Sequence, residues 1–129
     1  MKAALILIVE DNEKNLKLLR DILQFKGYRT LEAGTARDGI RLAQDKAPDL
    51  VLMDIQLPDM NGAEALKQLR GDPRTSAIPV LAVSASVMPE ELNLILASGF
   101  DGFQSKPIKV AEFLEAVATA LARGKKGAT

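Results

Sequence analysis

The sequence contains no cysteine and no histidine. Disulfides, thiolate zinc sites and any catalysis by a cysteine or histidine side chain are therefore excluded. Neither charge sign is in excess, because 17 Lys and Arg balance 17 Asp and Glu. A neutral chain has no electrostatic reason to seek nucleic acid or an anionic membrane, so neither direct DNA binding nor membrane insertion is expected. Long hydrophobic runs are also scarce. The N-terminal "MKAALILIVEDN" has one lysine and only seven apolar positions before acids follow. That run is too short to span a bilayer and has no small-residue cleavage pattern behind it, so a signal peptide is not expected. A soluble cytoplasmic protein is the expectation.

With 129 residues, 47% of them hydrophobic, the chain suits one domain with one core. "AALILIV" (3–9) is apolar throughout and rich in branched residues, as expected of a strand buried on both faces. Asn12 can cap a helix with Leu18, Leu19, Ile22 and Leu23 at helical spacing, stopped by Gly27. "YRTLEA" (28–33) is more polar and suits an edge strand. Thr35 can cap a second helix, which carries Ala36, Ile40 and Ala43 and ends at Pro48. "DLVLMD" (49–54) is a second buried strand, "AEALKQLR" a short helix, and "IPVLAVSA" (78–85) a third buried strand. Pro89, Glu90 and Glu91 suit the first turn of a helix ending at Gly99. A short strand follows around Phe100–Gln104, then a helix with Phe113, Leu114, Val117 and Leu121. Its stop at Gly124 assigns residues 1–123 to the domain and residues 124–129 to a disordered basic tail. Five repeats of strand then helix predict parallel strands with helices on both faces, a doubly wound α/β sheet.

In "LVLMDIQLPDMNG" (50–62), an apolar strand ends in a carboxylate, Asp54, where the chain leaves the core. Ligands of such sheets sit outside the carboxyl ends of the strands, next to the point where strand order reverses. The first strand ends in Glu10 and Asp11, the third in Asp54, the fourth in Ser84, and the fifth is followed by Lys106. Any one of these could be a solubilising charge at a loop mouth; all five at matching strand ends point to a site. Three close carboxylates raise one another's pKa unless compensated, and a divalent cation compensates them. Oxygen ligands without imidazole or thiolate favour a hard ion, and open positions favour Mg²⁺ over a closed calcium cage. Lys106 adds a positive charge able to pair with Asp54 or an incoming anion. Ser84 adds a hydroxyl, with the backbone N–H of Ala85 beside it. These groups suit a tetrahedral oxyanion next to a carboxylate, which is a phosphoryl group.

Four ordered segments, "VEDN" (9–12), "LVLMDIQLPDMNG" (50–62), "VLAVSA" (80–85) and "SGFDGFQSKP" (98–107), resemble the response-regulator receiver domain of two-component signalling. The resemblance runs from about Leu5 to Leu121. It implies a flavodoxin-like receiver fold with five parallel strands in the order 2-1-3-4-5, whose switch point lies between the strands ending at Asp11 and Asp54. It further implies that Asp54 is the phosphoacceptor, that Glu10 and Asp11 hold Mg²⁺ with Asp54 and the backbone carbonyl of Gln56, and that Lys106 contacts the phosphate. Ser84 resembles the switch hydroxyl, where threonine is frequent, and Phe103 the switch aromatic, where tyrosine is frequent. The Lys106–Pro107 peptide is expected to be cis. By this resemblance the protein is a single-domain response regulator. It would take a phosphoryl group from a histidine kinase or histidine phosphotransfer protein, and then relay it or switch contacts with a downstream protein. It would not be an enzyme with a separate substrate, but would slowly hydrolyse its own aspartyl phosphate.

Other readings fit less well. An aspartyl-phosphate phosphatase usually needs a second acid two residues after the nucleophile, and Gln56 occupies that position. A nucleotide or flavin module needs glycines in the first strand–helix turn, which here reads "EDNEK". A pseudo-receiver would be expected to lack Asp54, Asp11 or Lys106. Leu16, about a quarter turn from the centre of the first helix's apolar stripe, is expected to flank the mouth of the site. With Pro107 and Ile108 it would form an apolar rim for a helical phosphotransfer partner.

Overall fold

The computed structural model describes residues 3–85, 90, 93, 95 and 97–123. The elements are β1 (Leu5–Val9), α1 (Glu13–Phe25), β2 (Arg29–Ala33), α2 (Ala36–Lys46), β3 (Leu50–Asp54), α3 (Gly62–Arg70), β4 (Val80–Ser84), β5 (Gly102–Ser105) and a C-terminal helix (Val110–Arg123). Glu90, Asn93, Ile95 and Ala97 are also helical. Pro89, Glu91 and the expected tail at 124–129 lie outside the described residues. All strand pairs are parallel and the order is β2-β1-β3-β4-β5, as expected.

Alternation along the central strands divides the core. Ile6, Ile8, Leu50, Leu52 and Leu81 face one side, where Leu19 and Leu23 of α1 meet Phe113, Val117 and Ala120 of the C-terminal helix. Leu7, Val9, Val51, Met53, Val80 and Ala82 face the other, under Ile40 and Ala43 of α2 and Leu66 and Leu69 of α3. Period-two side-chain geometry forces this division, and parallel strands covered on both faces must be apolar throughout. The capping expectations hold: Asn12 accepts from the amide of Asn15, and Thr35 from that of Asp38.

Some boundaries and faces differ from expectation. β4 begins at Val80, since Pro79 has no N–H for a ladder bond. β5 begins at Gly102, and buried Phe100 only leads into it. α2 ends on Ala47 in the left-handed region (φ 46°), immediately before Pro48. Leu18 is 43% exposed, because the buried seam of α1 is Leu19 and Leu23. Leu16 and Ile108 are half-buried and pack against that same half of the core. At i, i+3 and i+7, Leu16 thus extends the Leu19–Leu23 seam.

Candidate functional site

The switch point lies between β1 and β3, where the chain winds outward in opposite directions and leaves a crevice at the carboxyl rim. Glu10 follows β1, and its amide still bonds the Ala33 carbonyl at 3.0 Å, so the ladder holds it. Asp54 closes β3 opposite Val83, and Ser84 closes β4 opposite Ser105. Lys106 is fixed through its own amide, which donates to the Ser84 carbonyl at 2.8 Å. The Lys106–Pro107 peptide is cis, as expected.

Four of the expected residues converge directly. Oxygens of Glu10, Asp11 and Asp54 lie within 4.8 Å of one another; Glu10 and Asp54 are buried and Asp11 is exposed. The Lys106 ammonium donates to Glu10 Oε1 at 2.5 Å and to Asp54 Oδ2 at 3.1 Å. The other Asp54 oxygen accepts from the Gln56 amide at 2.8 Å, and Glu10 Oε2 accepts from the Asn12 amide at 3.2 Å. Asp54 is thus clamped from two sides at the end of a rigid strand.

The electrostatics are unbalanced. Burial raises the Glu10 carboxyl from 4.5 to about 7, with the neighbouring Asp54 adding to the rise and Lys106 opposing it. Burial pulls the Lys106 amine down, but its bonds to Glu10 and Asp54 outweigh this and its net shift is upward. Three carboxylates against one ammonium leave an excess of negative charge. A hard divalent cation fits that donor set, which offers only oxygen. Ser84 is fully buried, and its Oγ has no hydrogen-bond partner among the described residues. A buried hydroxyl left unpaired costs about 1–3 kcal/mol, so an incoming oxyanion would find a waiting donor. Phe103, in β5, is half-buried against the α2–α3 side of the core. Ala85 follows Ser84 and is exposed.

A family profile described as the response regulator receiver domain matches residues 6–118. The chain belongs to the response regulator receiver family. It is 42% identical over 112 residues to the polar-differentiation response regulator DivK of Brucella ovis, covering 87% of this chain and 91% of that one. Among solved structures it resembles the receiver domain of a signal transduction histidine kinase from Syntrophus aciditrophicus (TM-score 0.86, 31% identity, 98% of this chain and 95% of that one). It also resembles the receiver domain of a sensor histidine kinase from Pseudomonas aeruginosa, which has a magnesium ion coordinated in its active-site cleft (TM-score 0.86, 27% identity, 93% and 98%). The receiver assignment places the chain in two-component signalling. No helix among the described residues is long and apolar enough to cross a membrane.

Two features of this receiver escaped the sequence. The direct contact between Lys106 and Glu10 joins residues 96 positions apart. Asp59, in the β3–α3 loop, accepts from the Ala36 amide at 2.9 Å and the Arg37 amide at 3.0 Å, at the start of α2. Local periodicity carries no signal for either pairing. The only hint of the second was an acid between Pro58 and Asn61, whose side chain caps α3 by accepting from the Glu64 amide.

Proposed function

We propose that this receiver accepts a phosphoryl group on Asp54, with Mg²⁺ held by Glu10, Asp11, Asp54 and the Gln56 carbonyl. The observation that carries this reading is the Asp54 carboxylate, clamped by the Gln56 amide and Lys106 beside two further acids and a buried hydroxyl with no partner among the described residues. An Asp54 oxygen bonds to phosphorus as the bond from phosphorus to the donor's imidazole nitrogen breaks. The nitrogen keeps the electron pair and takes up a proton, and an aspartyl acyl phosphate results. Water later cleaves that phosphate to inorganic phosphate and restores the carboxylate, so no separate substrate is turned over. Strand-end fixation supplies orientation, which is the main lever a positioned nucleophile has. Bound Mg²⁺ supplies positive charge against the carboxylates and the phosphoryl oxygens. Lys106 counters the added charge from the opposite side, Ser84 donates its hydroxyl to a phosphoryl oxygen, and the Ala85 amide lies next to it in the chain. Phe103 repacks in response, and the altered face meets a downstream protein.

The donor is a histidine kinase or a histidine phosphotransfer protein in the cytoplasm, since the chain has no histidine of its own.

The test is intact-mass analysis after incubation with Mg²⁺ and a small acyl phosphate. The parent should gain one phosphoryl group, labile to hydroxylamine, and Asp54→Asn should gain none, because an amide is no nucleophile. Acid-stable labelling of Asp54→Asn, or an unlabelled parent, would sink the assignment.

A further inference from the structure

The acid cluster is assembled from two separate pieces of chain. Glu10 and Asp11 leave β1, while Asp54 and Gln56 belong to β3 and the loop after it. Helix α2 touches both pieces. At its first turn it donates the Ala36 and Arg37 amides to the Asp59 carboxylate in that loop. One turn on, Gly39 lies so close to β1 that an added methyl would sit 2.6 Å from Val9 Cγ2, one residue before Glu10. The loop is also closed on itself. The Gly62 amide donates to the Ile55 carbonyl at 3.1 Å, and a methyl on Gly62 would lie 2.8 Å from the Ile55 Cα. Leu57 is buried in the core between these points.

The Asp59 contact comes from outside the helix and adds to the helix's own cap. Thr35 already caps α2 by accepting from Asp38 at 3.1 Å, and the Gly39 amide bonds the Thr35 carbonyl at 3.0 Å. Of the remaining two first-turn amides, that of exposed Arg37 could bond water, whereas that of fully buried Ala36 needs an acceptor from the protein. A carboxylate from 23 and 22 positions away takes both of them. Its charge suits the positive end of the helix dipole. The two amides hold the Asp59 carboxyl below its ordinary range, so it stays ionised at neutral pH.

We infer that Asp59 is a positioning residue: by tying the β3–α3 loop to α2, which sits on β1, it fixes the spacing between Glu10–Asp11 and Asp54–Gln56. This rests on the reading of those four residues as the Mg²⁺ site. Groups that hold metal ligands from behind typically change affinity by an order of magnitude or more when removed.

The test is calorimetric titration with Mg²⁺, paired with thermal melts in chelator. Asp59→Ala should raise the Mg²⁺ Kd roughly tenfold, and Asp59→Asn, which keeps one acceptor oxygen, should fall between it and the parent. Thr35→Ala removes a cap from the same helix without touching the loop. It should lower the melting temperature while leaving the Kd within about twofold of the parent. If Asp59→Ala bound Mg²⁺ like the parent, or Thr35→Ala weakened binding equally, Asp59 would be a helix cap and nothing more. A parent that bound no Mg²⁺ would instead overturn the metal-site reading itself, and this inference with it.

Discussion

The buried Glu10 should make the metal-free protein less stable as pH rises through neutrality. Its carboxyl stands at about 7 in the fold against 4.5 when unperturbed, with burial as the main cause. A folded-state pKa above the unfolded one means the fold holds the proton more tightly. The associated stability is therefore complete below pH 4.5 and is lost as pH climbs through 7. At 1.36 kcal/mol per unit the whole effect is about 3 kcal/mol, most of which falls between pH 5 and pH 8. That corresponds to a fall in melting temperature of roughly 10 °C for a domain of this size. The window is unusually clean. The chain has no histidine or cysteine, so apart from the α-amino group no other group has an ordinary pKa there. Urea denaturation at intervals across this window, in chelator, would read the slope directly, with Glu10→Gln as the control that should flatten it. Stability that stayed constant or rose from pH 5 to 8, or a slope that survived Glu10→Gln, would refute the argument.

Two further substitutions probe the same cluster. Lys106→Met keeps the side-chain volume but leaves Glu10 and Asp54 buried together without their shared ammonium. Breaking such a contact should cost about 3 kcal/mol at pH 8 and less at pH 5, where Glu10 takes up a proton; denaturation at the two pH values checks this. Ser84→Ala removes a buried hydroxyl that has no partner among the described residues. Metal-free stability should therefore change by less than about 1 kcal/mol in either direction, while labelling by a small acyl phosphate slows. A larger loss of stability in urea would mean that the hydroxyl is already bonded.

Legibility from the sequence followed the range of the interactions. The five strands and the helices between them could be read because their signals are local: branched apolar runs, 3.6-residue spacing, and the caps Asn12 and Thr35. The strand ends could be read too, and with them Glu10, Asp11, Asp54, Ser84 and Lys106, since strand-end position alone selects that rim. Errors arose where two local rules conflicted. Ile78 and Pro79 continue the apolar run, but Pro79 has no N–H to donate, although its carbonyl still accepts from the Val51 amide at 3.0 Å. Leu18 has the right residue type, yet lies 100° around the helix from buried Leu19, and that step leaves it 43% exposed. The left-handed Ala47 has no signal, because left-handed positions are usually marked by glycine or asparagine. What the sequence withheld altogether was the wiring between distant segments: Lys106 to Glu10, and Asp59 to the start of α2.

The places where this chain departs from good local chemistry are also the places where a ligand would help it. A carboxyl raised to about 7, a second buried acid beside it and a hydroxyl with no partner among the described residues lie together at one rim of the sheet. Each disfavours the metal-free fold slightly, and each is relieved by positive charge or by an oxyanion acceptor. Binding energy there acts on groups that already have a reason to move, rather than on a relaxed site that would have to be distorted. A ligand shifts a conformational equilibrium only by its differential affinity for the two states. On the proposed reading that difference is prepared in advance: the Ser84 hydroxyl, with no partner among the described residues, would gain one when a phosphoryl oxygen arrives, and half-buried Phe103 on the neighbouring strand would repack with it. The rigid parts, β3 under Asp54 and the Asp59 tie to α2, do the opposite. On the proposed reading they would hold Asp54 and the acids still while β4 and β5 respond.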